Sequence, residues 1–235
     1  VGGSLLPAHA VAPLRLLMRN TTFHNVEVTG VDLERRQVLF HGGPGHLDYD
    51  DLVIACGLRA RLDMIPGMAD YGFPLRGLGD ALELRNRVLL QLERAELETD
   101  PERRRRLLRF VVVGGGPSGV ETAGAINDFL YAASPHYPAL DPSALRVCLV
   151  HAGARLLDDL PPGLGEFARR RMERRGVDVR VGAPVAEVVA EGVRLAREEA
   201  LLEAGTVVSA LGSRPAAFLR TLPLELSGGR IRTRA

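Results

Sequence analysis

Gly114, Gly116 and Gly119 stand in a G-x-G-x-x-G spacing inside FVVVGGGPSGVE, directly after an apolar run and at the opening of a helical pattern. In that context each glycine has a task. The first permits a tight turn, the second lets the backbone approach a pyrophosphate, and the third allows close packing of helix on strand. The helix that opens there directs free N–H groups and the positive end of its dipole at the phosphates. Pro117 suits the first helical position, where its missing N–H matters little; Gly115 and Ser118 complete the loop. No Gly-Lys-Ser/Thr follows to make a triphosphate P-loop, which counts sharply against an NTPase. The expectation is a bound dinucleotide, against the alternative of a purely structural turn.

A carboxylate for the adenosine ribose hydroxyls belongs at the end of the second strand of such a unit. Here that strand, RVCLVH, ends in His151. Imidazole can bond to a ribose hydroxyl, or with Arg155 it can face a 2′-phosphate; the plainer reading is a strand ending at the surface. NADH is the expected ligand and NADPH the open alternative.

The surrounding pattern supplies the elements that must position the loop. From Phe23 to Gly57 the chain reads as short strands: FHNVEVTGVD and RQVLFH alternate, HGGPGH turns, and LVIACG is a buried-strand run. The stretch from Asp80 to about Leu97 is an amphipathic helix with Asp80 as N-cap and Leu84, Val88 and Ala95 on one face. ETDPERRRR reads as a polar connection. The next hundred residues alternate strand and helix, as a parallel sheet requires. FVVV, RVCLVH, VDVRVG and TVVSALG are the strands. GGGPSGVETAGAINDFLY and PPGLGEFARRRMERRG are the helices, the latter closed by Gly176, and EVVAEGVRLA is hairpin-like.

Bulk properties narrow the function by exclusion. A net charge of +1 gives no field to steer nucleic acid or an anionic membrane. All thirty basic residues are Arg. The runs at Arg103–Arg106 and Arg169–Arg175 lie beside acids in helical patterns, as solvated helix faces do. Cys56 and Cys148 sit in apolar runs without CxxC spacing, so buried small hydrophobes are expected rather than a metal or redox site. No apolar run reaches the ~18 residues of a membrane span, and no Ser-His-Asp set is evident. A cytoplasmic protein is expected. The chain opens on Val1 and ends in GRIRTRA, an apparent strand, so it reads as a piece of a longer one.

Beyond these readings, VVVGGGPSGVETAG followed by the long insertion INDFLYAASPHYPALDPSALRV resembles the type II NADH dehydrogenases, single-subunit NADH:quinone oxidoreductases of the pyridine nucleotide-disulfide oxidoreductase superfamily. YDDLVIACG resembles the family's strand ending in Ala-Thr-Gly, with Cys56 in the Thr position. PLRGLGDALELRNRVL resembles the lead into the nicotinamide domain, and GTVVSALGSRP the Ala-x-Gly-x-x-Pro return. The similarity runs from about Ala8 to the end.

The resemblance implies an α/β flavoprotein of two dinucleotide-binding domains: a partial FAD domain over 1–106, an inserted NAD(P) domain over 107–212, and a return to the FAD domain over 213–235. It implies hydride transfer from NADH or NADPH to FAD and on to quinone or another small acceptor. Ferredoxin reductase-like or sulfide:quinone-type enzymes, and a non-catalytic nucleotide-binding module, are the alternatives. Glu121 is implied near the reacting rings. Gly114, Gly115, Gly116, Pro117, Ser118, Gly119, His151, Arg155, Ala210, Leu211 and Gly212 are implied at NAD(P), and Val28, Ala55, Cys56 and Gly57 at FAD. A homodimer and peripheral contact with the cytoplasmic face of a membrane, through segments outside these residues, are also implied. Three features depart from the family: Ala125 replaces the second acid of Glu-x-x-Gly-Glu, His151 replaces the strand-end Glu, and no flavin glycine loop or later Gly-Asp occurs.

Overall fold

A computed structural model describes Gly2 and residues 7–233. The chain divides into two compact units. One is Ala60–Gly212 with the chain before Val11; the other is Val11–Arg59 with Ser213 onward.

The first unit is built on a five-stranded parallel sheet. Its spatial order is Gly72–Pro74, Thr206–Ser209, Arg109–Val113, Arg146–Val150 and Asp178–Arg180. The strand Phe110–Val113 is apolar throughout because both faces are covered. Phe110 and Val112, with Val147 and Leu149 of the next strand, face one core. Val111 and Val113, with Cys148 and Val150, face another. The first core is closed by helices Leu78–Leu97, Pro117–Ala133 and Pro162–Arg174 through residues such as Leu84, Ile126 and Met172. The second is closed by an antiparallel meander, Val185–Val189, Gly192–Leu195 and Leu201–Glu203. The expected hairpin at EVVAEGVRLA thus gains a third strand.

Several expectations shift locally. The helix expected from Asp80 starts at Leu78 with Gly77 as N-cap. Asp80 lies one turn inside, where its carboxylate accepts from the N–H groups of Arg76 and Gly77, at 2.7 and 2.9 Å. The carboxylate still caps the helix, reaching back from N3 rather than forward from the N-cap. The polar stretch expected as a connection contains a helix, Pro101–Leu107; Asp100 caps it and Pro101 opens it. In helix Pro162–Arg174, Arg169 and Arg170 pair with Glu166 and pull its carboxyl down to about 2. Gly176 ends that helix in the left-handed region, φ +85°.

The second unit holds the expected β-meander, Val28–Asp32, Gln37–Phe40 and His46–Asp48, antiparallel. Leu58–Ala60 pairs with Ser213–Pro215. A small core of Ala216, Leu219 and Leu222 gathers Val31, Ile54 and Ile231. Arg230–Ile231 pairs with Leu226–Ser227, so part of GRIRTRA is a strand; its last two residues lie outside the described ones.

LVIACG departs from expectation: Leu52–Cys56 forms no strand, and Val53 is 89% exposed. Ile54 turns toward the small core, but among the described residues nothing pairs with the segment's edges or covers its other face. Cys56 is consequently exposed rather than buried. Cys148 is buried as expected, and burial pushes its thiol far up.

Candidate functional site

The glycine loop lies at the carboxyl end of the central strand, where neighbouring strands on its two sides are reached by connections of opposite sense. That is the topological switch point at which open α/β sheets bind ligands. Gly114 leaves the strand with φ +120°, and its N–H donates to the Val150 carbonyl at 2.8 Å. A Cβ at Gly114 would stand 2.5 Å from the Ala210 carbonyl oxygen, and one at Gly119 1.7 Å from that of Gly114. These two glycines are demanded by the fold itself.

Gly116 is different. Its φ of −73° and ψ of −178° suit any residue, and a Cβ built on it meets nothing within 4 Å. Neither backbone conformation nor packing requires glycine there, and the space in front of it is open. Gly116 is also the N-cap of helix Pro117–Ala133, and no side chain caps that end. Pro117 and Ser118 are exposed in the first turn, leaving the helix's positive end accessible. The Ser118 carbonyl accepts from the Thr122 hydroxyl at 2.6 Å.

Gly115, to which the spacing assigns no task, acquires one from its neighbours. Its N–H donates to His151 Nδ1 at 3.1 Å, and its carbonyl accepts from the Leu157 N–H at 2.9 Å. A Cβ at Gly115 would fall 2.6 Å from the imidazole Cγ. His151 therefore braces the loop rather than ending the second strand loosely at the surface. Since Nδ1 accepts, the ring proton lies on Nε2, 2.9 Å from Asp158 Oδ2. Both ring nitrogens are occupied within the protein. Arg155 is likewise engaged, its Nη2 donating to the Asp158 carbonyl at 2.8 Å and its Nε 3.5 Å from Asp158 Oδ1. Asp158 is a residue to which no spacing rule points; it lies seven positions beyond His151.

On the other side of the switch point, Ala210 continues from strand Thr206–Ser209, its N–H donating to the Val113 carbonyl at 2.9 Å. Leu211 packs into the meander-side core, and Gly212 is exposed with open space around it. Glu121 is exposed on the loop helix. It borders an apolar groove between that helix and Pro162–Arg174 that includes Leu160, Leu164 and Phe167. Val28, Ala55, Cys56 and Gly57 all belong to the second unit, each exposed, with Gly57 at φ +63° and nothing near its Cβ position.

Among the described residues no group of three or more His, Cys, Asp or Glu side chains could hold a metal ion, and no helix is long and apolar enough to cross a membrane.

Comparison with known proteins adds identity to this geometry. The chain is 33% identical over 199 residues to the type II NADH:quinone oxidoreductase Ndh of Mycobacterium tuberculosis (strain ATCC 25618 / H37Rv), covering 81% of this chain and 42% of the relative. To the external alternative NAD(P)H-ubiquinone oxidoreductase B4, mitochondrial, of Arabidopsis thaliana it is 29% identical over 236 residues, covering 91% and 40%. The chain thus spans about two fifths of the length of these relatives. The solved structure of NDH2 from Plasmodium falciparum in complex with NADH superposes with a TM-score of 0.79 at 24% identity, over 85% of this chain and 43% of that one, which establishes the shared fold. The family model described as pyridine nucleotide-disulphide oxidoreductase matches residues 13–235, and the chain belongs to that family.

Proposed function

We propose that this chain is the nicotinamide-dinucleotide-binding portion of an FAD-dependent NAD(P)H dehydrogenase that delivers electrons to quinone. The observation that carries the reading is Gly116: a glycine that neither its backbone angles nor its packing requires, at the uncapped start of a helix on a switch point. Close approach of a pyrophosphate to the backbone accounts for it. The named activities of the Mycobacterium and Arabidopsis relatives supply the reaction class.

In this reading residues 107–212 hold the dinucleotide. Gly114–Gly119 seat the pyrophosphate, with the adenosine half toward His151 and the nicotinamide half toward Ala210, Leu211 and Gly212, because the two halves straddle the switch point. Glu121 on the loop helix supplies a carboxylate toward the reacting end. The described residues on the flavin side do not by themselves form an enclosing site: Val28, Ala55, Cys56 and Gly57 make an exposed edge without a phosphate loop. FAD enters through the family, where it supplies the acceptor for hydride; of the residues 1–106 and 213–235 expected in its domain, Val11–Arg59 and Ser213 onward form the second unit, whereas 60–106 fold with the nucleotide-binding sheet. Quinone as acceptor, a homodimer and peripheral attachment to the cytoplasmic face of a membrane belong to the same proposal for the whole protein.

The test is Gly116→Val with NADH titrated by fluorescence. The open space at this position predicts an unchanged melting temperature together with loss of NADH binding. A variant that binds NADH like the parent chain removes the site.

A further inference from the structure

We propose that Asp158 is the residue that recognises the adenosine ribose and makes this site select NADH over NADPH. The inference rests on the reading of Gly114–Gly119 as a dinucleotide loop and assigns its adenosine end.

Folds of this kind meet the ribose 2′-hydroxyl with a carboxylate at the end of the second strand, or the 2′-phosphate with a nearby arginine. Here the strand ends in His151, and neither of its ring nitrogens is available: Nδ1 accepts from Gly115 N–H and Nε2–H faces Asp158 Oδ2. An imidazole engaged at both nitrogens offers the nucleotide no spare donor or acceptor. What it does is hold a carboxylate beside the strand end.

The loop after the strand is shaped to bring that carboxylate back. A Cβ at Gly153 would lie 2.1 Å from Asp158 Oδ2 and 2.7 Å from His151 Nε2, so only glycine admits this approach. Leu157 adopts φ +55°, a left-handed conformation rare for a side chain of its size, while its N–H donates to the Gly115 carbonyl. Such strain persists where surrounding contacts over-determine it. The Asp158 side chain is nonetheless 45% exposed. One oxygen is committed to His151, and the other keeps lone pairs for a ribose hydroxyl.

The same contacts oppose a 2′-phosphate. Arg155 is the cation of this loop, and its guanidinium is turned onto the Asp158 carbonyl and carboxylate. A phosphate arriving there meets the Asp158 carboxylate with no uncommitted charge to balance it, which favours the nucleotide that lacks the phosphate.

The experiment titrates NADH and NADPH by fluorescence against the full 235-residue chain, Asp158→Asn, and Asp158→Asn combined with Arg155→Ala. The amide oxygen of Asn still accepts from His151 Nε2–H, so the loop is retained and melting is unchanged. We expect the parent chain to bind NADH the more tightly and Asp158→Asn to shift the NADH:NADPH ratio about tenfold toward NADPH. Arg155→Ala on that background should cancel the gain. An unchanged ratio in a variant that still binds NADH overturns the role of Asp158 and leaves the loop assignment standing, and so does a parent chain that prefers NADPH. A parent chain that binds neither nucleotide overturns the loop assignment and this inference with it.

Discussion

Two apolar runs that end in glycine, FVVVG at residues 110–114 and LVIACG at 52–57, read alike as buried strands leading to a cofactor, and they meet different surroundings. Phe110–Val113 has a parallel neighbour on each edge and a core on each face, and its residues are at most 3% exposed. Leu52–Cys56 has no sheet partner among the described residues, and Val53 is 89% exposed. An apolar run becomes a strand through what pairs with its edges and covers its faces. The consequence reaches the glycines at the two ends. Gly114, Gly115 and Gly119 of the first loop are set by contacts with Ala210, His151 and one another, whereas Gly57 is set by its left-handed backbone alone.

Substitutions that separate packing from conformation test this contrast. The largest effect is expected from Gly119→Val, whose Cβ would stand 1.7 Å from the Gly114 carbonyl oxygen. Overpacking costs about 1–3 kcal/mol and more where backbone must move, so thermal melting should show a loss at or beyond the upper end of that range. A melting curve like that of the parent would remove the contrast. Gly57→Ala meets no neighbour and pays only for φ +63°, so about 1 kcal/mol of the same melt, with NADH affinity unchanged, is expected.

Tyr137 sharpens the packed side of the comparison. It lies in the insertion, and its hydroxyl donates to Glu93 Oε1 of helix Leu78–Leu97 at 2.9 Å. Burial first, then the Glu93 hydrogen bond, pushes its phenol up to about 12 from 10.0. Folding therefore favours the protonated form, and its contribution is complete below pH 10 and disappears as pH rises toward 12. Tyr137→Phe should cost about 1 kcal/mol at neutral pH and flatten the fall in stability across that window; a retained fall would assign it to other groups.

The smallest effect is chemical. A thiol reagent should label exposed Cys56 and leave Cys148 unmodified in the folded chain, because burial holds the Cys148 thiol neutral and covered. Equal labelling of both would contradict the two-sided core around Arg146–Val150.

Residues adjacent in sequence carried much of the molecule legibly. The alternation of FVVV, RVCLVH and TVVSALG with two helices specifies a parallel sheet, and G-x-G-x-x-G after a strand marks the loop at its end. Asp100 before Pro101 also signals a helix start, and the polar text around it hid that signal. His151 was legible as a substitution at the strand end, but its function was not. Its partners are Gly115, 36 positions away, and Asp158, brought back by a strained loop with no sequence signature.

The amino-acid sequence by itself determined the alternation of FVVV, RVCLVH, VDVRVG and TVVSALG with two helices and the position of the glycine loop, because each follows from local periodicity and backbone chemistry. Tertiary structure alone decided that LVIACG stays unpaired among the described residues, that neither packing nor backbone angle requires glycine at Gly116, and that His151 joins Gly115 to Asp158. Those outcomes depend on which groups meet across space, and edge pairing, steric room and hydrogen-bond partners are properties of the assembled chain rather than of any segment of it.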